Sequence, residues 1–296
     1  MPSNSIFSRP DDRSRRDSRR LRTLSPVYRL TPFIMRSPSD AENSFTDTTD
    51  LTAAEAWLEA KRNDGLPGIS LVHLFIAAYV RTVALRPALN RYISGRYFYA
   101  RNHVDVILST GRGGAAESGA MTVKIRLLPS DTVYDVYHKI TERVGSFKAD
   151  ETAGQLEQVA GTLVRTPRFL LRFAAWIVRI FDFTGWLRAG ITDRSPFHGS
   201  VVVSDEGAVS LPSIARNLGS FGNVPVSISI GRRKNAVDVL REGAVYRHRT
   251  ADYTVTIDSR IADSAYYGAA FKYFRYYLTN PADLELPPER VNADVL

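Results

Sequence analysis

Asp258, Ser259, Arg260, Asp263 and Ser264 crowd a stretch near the C-terminus, residues 256–264. The stretch patterns as a strand end, a short polar loop and then a helix over about residues 262–278. A second polar strand end, residues 199–204, closes on Ser204, and His198 precedes that serine by six residues. Carboxylate and guanidinium groups so spaced can pair and fix a loop. Hydroxyls can donate to a developing oxyanion, and an imidazole can move a proton near neutral pH. Neither Ser204 nor Ser259 lies in a G-x-S-x-G elbow, so a serine hydrolase is not expected. The even spacing puts His198 and Ser204 on one strand face but about 20 Å apart. That rules out a dyad within one subunit and leaves open an approach by a neighbouring subunit's histidine. A packed, structural role is favoured for His198, and also for His73, which lies in an apolar helix. His138 falls on the polar side of its helix, and His248 is expected as an exposed strand residue.

The composition excludes several kinds of chemistry. Among 296 residues there is no cysteine, which removes disulfides, thiolate metal sites and a cysteine nucleophile. The five histidines are scattered without zinc-ligand spacing, so no metal is expected. A hydrophobic content of 44% supports a large core in one or two domains. The net charge of +8 is uneven, with seven arginines and three aspartates between Arg9 and Arg22. Residues 1–23 are therefore expected to be a disordered basic arm. Asp11, Asp12 and Asp17 interrupt its charge, which favours contact with a neighbouring subunit over nucleic acid. Ile6 and Phe7 stand isolated among polar residues. With no secretory signal at the start, the cytoplasm is the expected compartment.

The elements that position these groups follow from periodicity. Residues 45–50 alternate as a strand. A helix begins near Ala53 with Thr52 as its cap and Glu55 as the reciprocal partner, and it is broken by Gly65, Pro67 and Gly68. Ser70 caps an apolar helix that ends at Arg86-Pro87. Residues 103–109 and 121–128 pattern as strands around a glycine-rich turn at 111–119. That turn lacks the lysine and following helix of a phosphate loop. Ser130-Asp131 caps a third helix. Later strands are expected at 199–204 and 225–231, followed by a hairpin over 235–257 turned at Glu242-Gly243. Asn280-Pro281 stops the last helix, and residues 286–296 form an extended tail. Helices and strands mix without strict alternation, which argues for an α+β layered fold.

Four stations in chain order resemble the catalytic domain of the dihydrolipoamide acyltransferases, within the chloramphenicol acetyltransferase-like superfamily. Residues 69–90 are similar to that family's long helix and P-x-L-N turn, here Pro87-Ala88-Leu89-Asn90. Residues 102–110 resemble its N-I-G-I-A-V-x-T strand. Val201-Val202-Val203-Ser204-Asp205-Glu206-Gly207 resembles F-T-I-S-N-L-G, and residues 258–271 resemble D-H-R-x-x-D-G-A-x-x-A-R-F. The resemblance spans residues 24–285. It implies a two-layer sandwich with a mixed sheet and packed helices, assembled as a homotrimer that can build a larger shell. It also implies coenzyme A or an acyl-coenzyme A as ligand. No lipoyl or subunit-binding domain precedes the core, so a stand-alone core is expected. By the same resemblance Ser204 fills the oxyanion-donor slot, and Arg260 and Asp263 fill the Arg and Asp slots, where they are expected as a structural ion pair. The family's basic histidine is replaced by Ser259. A serine hydroxyl is far too weak a base to deprotonate a thiol, a role worth about 10²–10⁴-fold in rate.

Two functions stay open on this reading. One is a divergent coenzyme A-dependent acyltransferase working without the usual histidine. The other is a non-catalytic oligomeric scaffold or acyl-ligand-binding relative. A hydrophobic insert at 166–190 departs from the family, whose linker there is more polar. Thr166-Pro167 opens a helix in which Arg168, Arg172 and Arg179 fall within about a 40° arc amid aromatic residues. A lone membrane span is disfavoured, because a mid-helix arginine costs about 2.5–3.5 kcal/mol. Burial in the core or in an oligomer contact is the preferred reading. A helix lying on anionic lipid and a lid over an acyl site remain alternatives.

Overall fold

The computed structural model describes residues 18–110, 121–149, 166–184, 192–193, 195–239 and 245–295. The glycine-rich turn at 111–119, the hairpin turn at Glu242-Gly243 and the arm up to residue 17 lie outside the described residues. The strands are β1 (Ser18–Arg20), β2 (Glu42–Asp50), β3 (Arg91–Ser94), β4 (Tyr97–Arg101), β5 (Val104–Thr110), β6 (Met121–Leu127), β7 (Val201–Asp205), β8 (Val226–Val239) and β9 (Val245–Asp258). The helices are α1 (Pro26–Ile34), α2 (Thr52–Asn63), α3 (Leu71–Leu85), α4 (Val133–Ala149), α5 (Arg168–Thr184) and α6 (Ser264–Thr279).

Six strands form a mixed sheet in the order β2-β9-β8-β7-β5-β6, in which β7 is parallel to both β5 and β8 and the other pairs are antiparallel. Alternation gives this sheet two unlike faces. Val201, Val203, Val226, Ile228, Val255 and Ile257 point to one face and join a continuous core with α3 and α6. Fourteen of the fifteen residues of α3 are buried, as an apolar helix enclosed by its neighbours must be. The opposite face is lined by hydroxyls, and an extended strap, residues 210–224, crosses it. This is the expected two-layer α+β sandwich.

A small antiparallel sheet, β1-β4-β3, lies beside the main one. Its β1 strand uses residues that the sequence assigned to the basic arm. The tail is pinned: the Arg81 guanidinium donates to the carbonyls of Asp283 and Leu286, Asn292 donates to Leu85 O, and Arg91 pairs with Asp294.

Several element ends differ from expectation for local reasons. The start of α2 is capped by Asp50, whose carboxylate accepts the Thr52 N–H at 2.7 Å, so Thr52 lies inside the helix. Thr132 and Asp135 cap α4 reciprocally, while Asp131 binds Leu128 N and Lys139. Residues 225–231 and the first hairpin arm form one strand, β8, because a bulge between Ile230 and Arg233 absorbs the break in alternation. Helix α1, with Pro32 inside it, was not expected from the sequence. The largest correction concerns α5. It is not a core helix, for none of its residues is buried.

Candidate functional site

Ser204 occupies the last turn of alternation on β7, facing away from the helices and only 3% exposed. The strand ends there because Asp205 caps a short 3-10 turn, accepting the Ala208 N–H at 3.2 Å. Gly207 lets this turn close onto β8, since a Cβ there would sit 2.8 Å from the Gly231 carbonyl oxygen.

In register, Ser204 lies between Ser109 of β5 and Ser229 of β8, and Ser229 is followed by Thr254 and Thr46. The next row runs from Ser227 through Thr256 to Ser44. Most of these hydroxyls are satisfied. Ser44 pairs with Thr256 and Thr46 with Thr254, both at 2.9 Å. Strap residues take the others: Ile214 N donates to Ser229 Oγ at 3.0 Å, and Thr254 donates to Ser213 Oγ at 2.9 Å. Two hydroxyls, those of Ser204 and Ser227, are buried without a partner among the described residues. They are diagonal neighbours on the β7–β8 pair. An unpaired buried hydroxyl costs roughly 1–3 kcal/mol, so two side by side mark a place suited to an oxygen-bearing ligand. Ser227 was missed in the sequence, where it is one serine in an ordinary alternating strand.

The C-terminal polar loop is built for holding rather than proton transfer. Ser259 donates both its N–H (2.9 Å) and its hydroxyl (2.7 Å) to the Ala41 carbonyl, tying the end of β9 to the start of β2. Arg260 is not paired with Asp263. Its guanidinium grips Asp258 instead, with Nε 2.9 Å from Oδ1 and Nη2 2.6 Å from Oδ2, both side chains being 3% exposed. A tight turn, closed by Ile261 N donating to Asp258 O, folds the arginine back over its second neighbour. Burial pushes the Asp258 carboxyl up against the pull of Arg260. Asp263 caps α6 by accepting the Tyr266 N–H at 2.7 Å, and it also accepts the Tyr28 hydroxyl at 3.1 Å. That cap is why α6 begins at Ser264 and not at residue 262.

No histidine stands beside Ser204. His198 and His103 precede β7 and β5, six residues before Ser204 and Ser109, His248 lies six residues before Thr254 on β9, and the Ser204 hydroxyl has no histidine among its partners. His198 is 4% exposed, and both its ring nitrogens are engaged, Nδ1 with Ser195 Oγ at 2.8 Å and Nε2 with Asp182 Oδ1 at 2.9 Å. His103 is held by Asp105, whose carboxylate is stabilised well below its usual range. His73 accepts the Ser70 N–H and so completes the cap of α3. Burial pushes it down to about 4. His248 is not an open strand residue: it stacks on Tyr246, and its side chain is 7% exposed. His138 is exposed on α4. Among the described residues no group of histidine, aspartate and glutamate side chains could hold a metal ion.

No family model matches the sequence, and no curated protein matches it at a significant level. Solved structures do match. A probable dihydrolipoamide acetyltransferase from Listeria monocytogenes superposes with a TM-score of 0.54 at 13% identity, over 87% of this chain and 93% of the other. A dihydrolipoamide acetyltransferase from Azotobacter vinelandii, studied for the catalytic role of one serine, one histidine and one asparagine, gives 0.56 at 12% identity, over 88% and 89%. A chloramphenicol acetyltransferase gives 0.50 at 12% identity, over 88% and 99%. The chain therefore has the chloramphenicol acetyltransferase-like α+β fold of the dihydrolipoamide acyltransferase cores.

Proposed function

We propose that this protein is an oligomeric binding member of the acyltransferase fold, one that holds an acyl thioester of coenzyme A without transferring its acyl group at an enzyme's rate. Two observations support this reading, one at the C-terminal end of β7 and the other just past the end of β9. The Ser204 hydroxyl is buried and unspent, ready to donate to a thioester carbonyl. The hydroxyl that replaces the family's imidazole, on Ser259, is already committed to Ala41. Ser204, with Ser227 beside it, fits the carbonyl end of such a ligand. When bound, the thioester would supply the acyl group, while this chain's residues orient it and supply no base. A homotrimer in the cytoplasm belongs to the same proposal. It is supported by likeness to the cubic core of a pyruvate dehydrogenase complex, with a TM-score of 0.55.

A second reading, a divergent coenzyme A-dependent acyltransferase, is favoured by the same unspent Ser204 hydroxyl, since an oxyanion donor is of most use in a reaction. The binding claim is tested by calorimetric titration of the full chain with coenzyme A and with acetyl- and decanoyl-coenzyme A. The acyl forms are expected to bind more tightly, and Ser204→Ala is expected to reduce that preference by about tenfold, the worth of one hydrogen bond. Absence of binding, or an acyl preference untouched by Ser204→Ala, overturns the proposal.

A further inference from the structure

Helix α5 carries Phe169, Phe173, Trp176, Ile180 and Phe183 at spacings that place them along one helical stripe. All are exposed, Phe169 by 68% and Trp176 by 57%, and the rings of Phe173 and Trp176 stack at 5.9 Å. Arg168, Arg172 and Arg179 run directly beside this stripe. The helix has one acid, Asp182, and it is turned inward: its carboxylate binds His198, and its carbonyl accepts the Ser94 hydroxyl at 3.2 Å. The outward face therefore carries aromatic bulk and positive charge alone.

A second amphipathic helix adjoins it. In α1, Tyr28 and Pro32 face the body of the protein, while Val27 (72%), Leu30 (59%) and Ile34 (78%) are left exposed. The two helices meet at Arg96, in the turn between β3 and β4. Its guanidinium carbon lies 4.9 Å from the Phe33 ring centre and 5.9 Å from that of Phe183. The turn is shaped for this contact. Gly95 and Arg96 both have positive φ, and a Cβ on Gly95 would lie 2.8 Å from Phe183 O.

We propose that α1 and α5, joined at Arg96, form a docking surface for an anionic lipid membrane. Arginines flanking an aromatic stripe can bury their stems beside the rings while their heads reach lipid phosphates. Among the described residues no helix is long and apolar enough to cross a membrane, so the surface lies on the bilayer. Charge complementarity selects this occupant. A second copy applying the same face would oppose arginines to arginines, with no acid left on α5 to answer them.

The test uses the full chain with vesicles of phosphatidylcholine alone, and with vesicles containing one third phosphatidylglycerol, in a sedimentation assay. Binding to the anionic vesicles only, weakened by high salt, is expected. Each arginine near the surface is worth about fivefold in affinity, so Arg172→Glu/Arg179→Glu should lower binding by more than tenfold. In a Trp57→Phe/Trp186→Phe background, brominated lipid should quench the remaining Trp176. Oligomeric state, followed by sedimentation velocity, should stay unchanged in the Arg172→Glu/Arg179→Glu and Trp176→Ser variants. Absence of anionic-vesicle binding, binding indifferent to these substitutions, or oligomers that dissociate in Trp176→Ser would overturn the proposal, the last by giving the face to a second copy.

Discussion

The Arg260 guanidinium is taken up by Asp258 and by the Met35 carbonyl, and that choice fixes what the polar loop can do. Two charges buried together hold a turn in place, and removing one leaves the other stranded. Arg260→Met is expected to destabilise the fold by about 3–5 kcal/mol in urea denaturation, while Asp258→Leu/Arg260→Met costs clearly less. Ser204 gives the opposite sign. Its hydroxyl has no partner to lose, so Ser204→Ala should leave stability unchanged or raise it by about 1 kcal/mol, even as acyl-ligand binding weakens. His73 gives a pH dependence. Its folded-state value, about 4, lies below the unfolded value near 6.5. The unfolded chain therefore binds the extra proton first, and stability falls as pH drops from about 6.5 toward 4. The loss between pH 8 and 5 is about 2 kcal/mol. His73→Asn, which keeps an acceptor for the Ser70 N–H without titrating, should flatten that part of the denaturation profile.

At the scale of elements, the joint between α5 and the body is narrow. It rests on Asp182, Ser94 and the close passage of the Gly95 turn beneath Phe183 O. Gly95→Ala is expected to loosen the joint, because the added methyl meets a backbone carbonyl in a left-handed turn. Hydrogen exchange in α5 should quicken while exchange in α3 is unaltered. Elements whose pattern is set by burial on one side were legible in the sequence, including α3, α6 and the alternating strands β5 and β7. Ser204, Ser259 and Arg260 were singled out through the four-station resemblance. What escaped was governed by contacts distant in sequence. The partner of Arg260, the unpaired state of Ser227 and the engagement of His198 by Asp182 depend on which chains cross above the sheet. Helix α5 was expected in the core or in an oligomer contact because its composition is that of a buried helix, and the structure excludes the first of these. Only its surroundings show that nothing within the described chain covers it.

At the scale of the whole molecule, the chain has the fold of the dihydrolipoamide acyltransferase cores, with Ser259 at the position where the resemblance places their histidine. The apolar face of the sheet is spent on the helix layer. The hydroxyl face carries the unpartnered Ser204 and Ser227 on the side that the strap crosses, and the exposed apolar side chains of α1 and α5 stand apart from both. The most direct measurement is thiol release from acetyl- and longer acyl-coenzymes A, followed with wild type and with Ser259→His. Release at the uncatalysed rate in wild type, rising by about 10²-fold or more in Ser259→His as a general base is restored, is the predicted result. Wild-type turnover that disappears in Ser204→Ala would contradict it.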